Sequence, residues 1–217
     1  MELHRRLFGV DKLVPKSLIE ISGPSNSGKT LLVQQLMAHY ICDLNWEILF
    51  LNLSHKLQIH NFARIITEKA STSSNENLEK RLNSVKLINC FSPKELDESL
   101  EIIKYMLLGN RNIKLIAIDT LSEFFWLDME QRTTKINKLK YYVKYVQSLE
   151  AICREVNVCG MWTVDNKFVS QMQNGANDPF RIDHKLRFSI LPQGGVELNG
   201  QSVELTNQGV KFIEDAY

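Results

Sequence analysis

Apolar positions along the chain follow two alternating spacings. Short runs rich in β-branched and other apolar side chains occur at Ser17–Ser22, Ile48–Leu53, Val85–Asn89, Leu115–Asp119 and Val156–Val164, and each reads as a strand. Between them the apolar residues recur at helical spacing. Leu32, Leu36 and Tyr40 form one stripe; Leu96, Leu100, Ile103 and Leu107 form a second behind Pro93. Ile136, Leu139, Val143, Val146, Leu149 and Ile152 form the longest, which predicts a long helix. Strand and helix in alternation predict an α/β fold, a mostly parallel sheet flanked by helices with right-handed crossovers. Past residue 180 the pattern changes to short runs separated by turns: Leu186–Leu191, a Gln193-Gly194-Gly195 turn, Val196–Leu198, an Asn199-Gly200 turn, Val203–Leu205 and Val210–Ile213. Asn-Gly between alternating apolar runs is a strong hairpin signal, so these runs predict a C-terminal antiparallel extension of the sheet. Two polar stretches, Ser71–Asn77 and Asn174–Pro179, read as loops too short to link domains.

Composition narrows this picture only a little. A chain of 217 residues suffices for one α/β domain, expected over 17–217 behind a short N-terminal extension, 1–16. A formal net charge of +1 supplies no bulk attraction to nucleic acid, so any such contact has to come from local patches or a partner chain. Arg5 and Arg6 are not followed by the apolar run of a signal peptide. No stretch reaches the roughly eighteen apolar residues that a membrane span needs. Cys42, Cys90, Cys153 and Cys159 lack C-x-x-C spacing and read as reduced thiols of a cytosolic or nuclear protein rather than a zinc site.

The candidate chemistry lies at Gly23–Thr30, GPSNSGKT, which fits G-x-x-x-x-G-K-[ST] without a mismatch. Gly23 and Gly28 let the main chain curl around Pro24 so that the successive N–H groups of Ser25, Asn26, Ser27 and Gly28 face an anion. The helix that follows adds its free N–H groups and the positive end of its dipole. Lys29 brings a point charge for the β- and γ-phosphates, and Thr30 a hydroxyl for Mg²⁺. The preceding strand and following amphipathic helix are the context this motif requires, and ATP with Mg²⁺ is the expected ligand pair. Asp119, closing the apolar run KLIAID, is the expected second Mg²⁺ residue. Its alternative is a helix N-cap, given Thr120 and Ser122 beside it. A chance match, or a cradle that no longer binds nucleotide, are the other readings of the motif.

With both motifs in place, the chain resembles the RecA family of strand-exchange ATPases, specifically the recombinase paralogues of eukaryotes. SLIEISGPSNSGKT is similar to that family's core opening, VKLINCFSPKELDESL to its third strand and helix, and NQGVKFIEDAY to its terminal strand. DTLSEFFWLD, Asp119 to Asp128, is the segment that narrows the resemblance, although FFWL also reads as ordinary core packing. The similarity runs from about Ser17 to the C-terminus and implies a RecA-like P-loop NTPase core. In active members a glutamate just past the second strand polarises the attacking water; the matching position in ILFLNLSHK is Ser54. A serine hydroxyl cannot serve as that base, and losing a positioned base costs about 10²–10⁴ in rate. Where the family carries a glutamine that senses the γ-phosphate, WTVDNK places Asp165.

The resemblance therefore implies weak or no ATP hydrolysis and no catalytic residue. It implies a nuclear accessory subunit in homologous recombination repair of DNA double-strand breaks. Its partners would be other recombinase paralogues and the main strand-exchange recombinase. The family's N-terminal module is not matched in the residues before Ser17. Its two DNA loops would fall near Met129–Lys140 and Asn166–Asp183. Arg132, Lys135, Lys138, Lys140, Lys167, Arg181, Lys185 and Arg187 could there meet single-stranded DNA, or form an ordinary solvated face. Two rivals stand beside this reading. One is an active small NTPase or nucleoside kinase, for which NLSHK lacks the expected carboxylate; the other is an interaction scaffold with a vestigial cradle.

Overall fold

The computed structural model describes residues 2–70, 75–131, 137–169 and 180–213. The strands, in chain order, are β1 (Leu18–Gly23), β2 (Glu47–Asn52), β3 (Val85–Asn89), β4 (Ile113–Asp119), β5 (Cys159–Asp165), β6 (His184–Ile190), β7 (Val196–Leu198), β8 (Gln201–Thr206) and β9 (Gly209–Phe212). The helices are α1 (Glu2–Phe8), α2 (Lys29–Leu44), α3 (Ile59–Ala70), α4 (Asn75–Leu82), α5 (Pro93–Gly109), α6 (Phe125–Gln131), α7 (Lys138–Val156) and α8 (Asn166–Val169).

All the strands join one sheet in the order β3-β2-β4-β5-β1-β6-β7-β8-β9. Strands β1 to β6 pair in parallel, and β6 to β9 pair antiparallel. The fold is thus α/β, a mostly parallel sheet flanked by helices with a C-terminal antiparallel extension. The run at Leu186–Leu191 differs from the expectation in one respect. As β6 it lies parallel to β1, with Ile21 opposite Leu186, so the antiparallel part starts only at β7.

Both faces of the central parallel strands β1, β2, β4 and β5 are covered, which is why they read as nearly unbroken apolar runs. Alternate residues feed two cores. Leu49 and Leu51 of β2, Ile116 and Ile118 of β4, and Trp162 of β5 pack under α5 and α7. Ile48, Phe50, Leu115, Ala117 and Met161 pack on the opposite face with α2 and α3. The N-terminal segment contributes Phe8 and Leu13 to that second core.

Helix boundaries follow their caps. Ser92 accepts from Glu95 N at 3.2 Å, with Pro93 next to it opening α5. Asn137 accepts from Lys140 N at 2.8 Å, so α7 begins at Lys138 rather than at the start of the apolar stripe. Ile136 lies outside the described residues. At the other end, Val156 closes α7 and Asn157 (φ 60°) caps it in the left-handed conformation. The strand expected from Val156 therefore begins at Cys159. In Ser71–Asn77, residues 75–77 open α4, contrary to the loop reading, and 71–74 lie outside the described residues. So does the whole of Asn174–Pro179. Asn199 and Gly200, at φ 52° and 78°, make the two-residue turn between β7 and β8.

Candidate functional site

The GPSNSGKT loop leaves the C-terminal end of β1 and enters α2, at the edge of the sheet where β4 and β5 also end. Gly28, at φ 96°, is the N-cap of α2 and supplies no side-chain cap, so the first-turn N–H groups stay free for an outside acceptor. The loop is tightly enclosed. A Cβ on Gly23 would stand 2.7 Å from Phe188 Cβ and 2.8 Å from Ser27 Oγ, and one on Gly28 would stand 2.6 Å from Leu205 Cδ2. Ser27 Oγ is buried inside the turn without a hydrogen-bond partner among the described residues. Pro24, Ser25 and Asn26 form its tip, with Asn26 in the left-handed region at φ 62°.

Lys29 is almost wholly buried and points back along its own loop, its Nζ donating to Gly23 O at 2.8 Å and Pro24 O at 2.6 Å. Two of the three ammonium donors are so used, which leaves one for a ligand in the cleft that Lys29 lines. Burial pushes this lysine below its ordinary pKa. The carboxylates of Asp165 and Asp119 act in the opposite direction, and the Lys56 charge pushes it further down.

Asp119 ends β4, one strand removed from β1, and is completely buried. Four hydroxyls converge on it. Thr30 and Ser54 donate to Oδ2 at 2.9 and 3.1 Å, and Thr120 and Thr163 donate to Oδ1 at 3.0 and 2.5 Å. The alternative role as a helix N-cap is not what these bonds describe: the carboxylate oxygens are met by side-chain hydroxyls from β5, the loop after β2, and α2. The donor set, carboxylate and hydroxyl oxygens without nitrogen or sulfur, fits a hard divalent cation such as Mg²⁺. No group of three or more His, Cys, Asp or Glu side chains suited to a metal occurs among the described residues. The cysteines are free, with Cys90, Cys153 and Cys159 buried and Cys42 half-buried.

Lys29, Thr30 and Thr120 border a cleft of about 550 Å³ that runs from Ser25–Leu31 to Trp126, Asp165 and Lys167, and the fully buried Asp119 does not line it. Asp165 pairs in register with Gly23 and lines the cleft; its Oδ1 accepts from Lys167 N at 2.9 Å. Phe124 and Phe125 of the FFWL segment are core residues, whereas Trp126 is 58% exposed and faces the cleft. Of the eight basic positions expected near DNA, the six among the described residues do not come together in one patch. Lys138 and Lys167 line this cleft. Arg181 pairs with Asp183 at 3.1 Å, and Asp183 holds Leu18 N at the opposite end of β1. Lys185 and Arg187 lie on the exposed side of β6, Lys140 is exposed on α7, and Arg132 and Lys135 lie outside the described residues.

Four contributors were not legible as site residues. Thr163 and Lys56 reach the site only through strand order, and Leu205 only through the antiparallel extension. Trp126 carried a signal, an aromatic in the apolar run FFWL seven residues past Asp119, but helical burial explains that pattern equally well.

No family model matches the chain. Against curated proteins, 133 residues are 28% identical to DNA repair protein XRCC2 of Mus musculus, covering 58% of this chain and 48% of the relative. The chain is similar to XRCC2. This RecA-family paralogue is the one that DTLSEFFWLD resembles, and the similarity extends over more than half of the sequence. The chain spans about half the length of the curated relative it matches.

Proposed function

We propose that the protein is an ATP–Mg²⁺-binding accessory subunit of a recombinase-paralogue complex, acting in homologous recombination repair of DNA double-strand breaks in the nucleus. The observation that carries the nucleotide half is the meeting of Thr30 with Asp119, 89 positions apart, at 2.9 Å beside the buried Lys29. The likeness to XRCC2 supports the repair half.

In this reading the main-chain amides of Gly23–Gly28 and the Lys29 ammonium hold the polyphosphate, and Thr30 and Asp119 hold the cation. Mg²⁺ would neutralise phosphate charge there and shield it from Asp165. No carboxylate occupies the position of Ser54, whose hydroxyl is engaged with Asp119. The site binds and orders a nucleotide without activating water, so turnover is slow and the nucleotide acts as a structural ligand. A ligand at a hundred times its Kd stabilises the bound state by about 2.7 kcal/mol, sufficient to order an interface with a companion subunit.

The test is calorimetry with ATP and Mg²⁺ on wild type and Lys29→Ala, paired with a pull-down from cells using both forms. Binding by wild type alone, slow turnover, and recovery of recombination factors that weakens with Lys29→Ala are expected. Hydrolysis at several per second would overturn the structural-ligand role. Recovery of metabolic enzymes without recombination factors would overturn the repair role.

A further inference from the structure

We infer that Lys56 and Lys167 form a cationic clamp that reads the charge of the terminal phosphate, so that the cleft holds a nucleoside triphosphate in preference to the diphosphate. The inference rests on the phosphate-site reading above and adds a selectivity to it.

Among the described residues, the ionisable side chains lining the cleft are four lysines, 29, 56, 138 and 167, against the carboxylates of Glu123 and Asp165. The whole chain has a formal net charge of only +1, so this cleft concentrates positive charge that the remaining surface cancels. Two of the four lysines are already engaged. Lys29 is held by Gly23 O and Pro24 O. Lys138 lies over the rings of Trp126 and Phe168, 5.4 Å from each centroid. Lys56 and Lys167 are exposed, and neither ammonium has a carboxylate partner among the described residues.

Their backbones are fixed where the clamp needs them. Lys56 follows β2, and its N–H donates to Ser54 Oγ at 3.4 Å, the same hydroxyl that reaches Asp119. Lys167 follows β5, and its N–H donates to Asp165 Oδ1. Strands β2 and β5 flank β4 on its two sides, so the two lysines rise on either side of Asp119. The Lys56 charge already acts on Lys29, which ties it electrostatically to the cradle. A terminal phosphate entering this space meets the Asp165 carboxylate, and each added negative charge there is unfavourable unless cations offset it. Two ammonium groups flanking that point, with no base at Ser54, favour the more highly charged ligand and leave it intact.

The experiment measures ATP and ADP affinity of the full chain by calorimetry. Trp126 fluorescence gives a second signal, since Trp46 and Trp162 are buried and Trp126 is 58% exposed at the cleft. Variants are Lys56→Met, Lys167→Met, the double variant, Lys56→Arg, and Lys114→Met as an exposed lysine at the far end of β4. Each methionine in the cleft should weaken ATP by about three- to tenfold, the net scale of one ordinary hydrogen bond, and ADP by less than about twofold. Lys56→Arg and Lys114→Met should keep the wild-type preference. Equal losses for ATP and ADP, or no loss, would overturn the clamp and leave the phosphate site standing. A folded wild type that binds neither nucleotide would overturn both.

Discussion

Ser54 is bonded to Asp119 twice over: its Oγ donates to the carboxylate Oδ2 at 3.1 Å and its N–H donates to the Asp119 carbonyl at 2.9 Å. Ser54, which the resemblance matches to a water-polarising glutamate, is thus part of the shell that holds the buried carboxylate. Ser54→Glu replaces a donor with a second negative charge against an aspartate that is already fully buried. Like charges sharing a site raise each other's energy until a proton or cation intervenes. The variant should melt several degrees below wild type in EDTA, a loss on the order of 1–2 kcal/mol. Millimolar Mg²⁺ should recover most of that loss while moving wild type less. Thermal denaturation with and without the cation decides it, and a melting curve indifferent to Mg²⁺ would contradict the oxygen-donor cation site.

Gly28 and Gly109 make opposite demands. Gly28 sits at φ 96°, and a methyl group there would meet Leu205 Cδ2 at 2.6 Å. Gly109 is the last residue of α5; a methyl group there would have no neighbouring atom within 4 Å, and its φ is not positive. Gly28→Ala should cost at least about 2 kcal/mol through left-handed strain and overpacking, and should abolish nucleotide binding. Gly109→Ala should be neutral or stabilise by about 0.5 kcal/mol, because alanine loses less entropy in a helix. Urea midpoints for the two variants measure the contrast; equal effects would mean that the close approach of β8 to the cradle is not maintained in solution.

How much of this was legible in the sequence depends on whether a feature is local. The cradle is local: eight consecutive residues define it, and the strand and helix around it follow from spacing. Asp119 was legible because it ends an apolar run buried on both faces. The hydroxyl shell was not, because Thr30, Ser54 and Thr163 meet at Asp119 only once β5 inserts between β4 and β1, and strand order is not written in periodicity. The same holds for β6, whose apolar run reads alike in parallel or antiparallel pairing. The start of α7 was misplaced because the hydrophobic stripe extends past the point where Asn137 caps the helix. The strand expected from Val156 failed for the matching reason, an asparagine that takes the left-handed conformation at the other end of the same helix.

The last prediction concerns acid stability, away from the cleft. His39 on α2 is buried, donates from Nδ1 to Asp43 Oδ2 at 2.7 Å, and packs its ring 4.8 Å from that of His4 on α1. Lys69 of α3 pairs with the same Asp43 oxygen at 3.0 Å. Burial pushes His39 from 6.5 down to about 4, outweighing the upward pull of Asp43, and His4 adds to the depression. Burial likewise lowers His4 and His184. Between about pH 6.5 and 4 the unfolded chain therefore binds protons that the native state does not, and stability rises with pH across that window. The His39 contribution is fully present above about pH 6.5 and is lost as the pH falls toward 4, at most about 3 kcal/mol in all. Unfolding by urea at steps between pH 7 and pH 5, before most carboxylates titrate, should show a falling midpoint for wild type. His39→Gln, uncharged throughout, should start lower at pH 7 yet lose less on acidification, and His4→Gln should flatten the profile in the same sense. A slope unchanged in both variants would show that α1 does not keep these two imidazoles out of water.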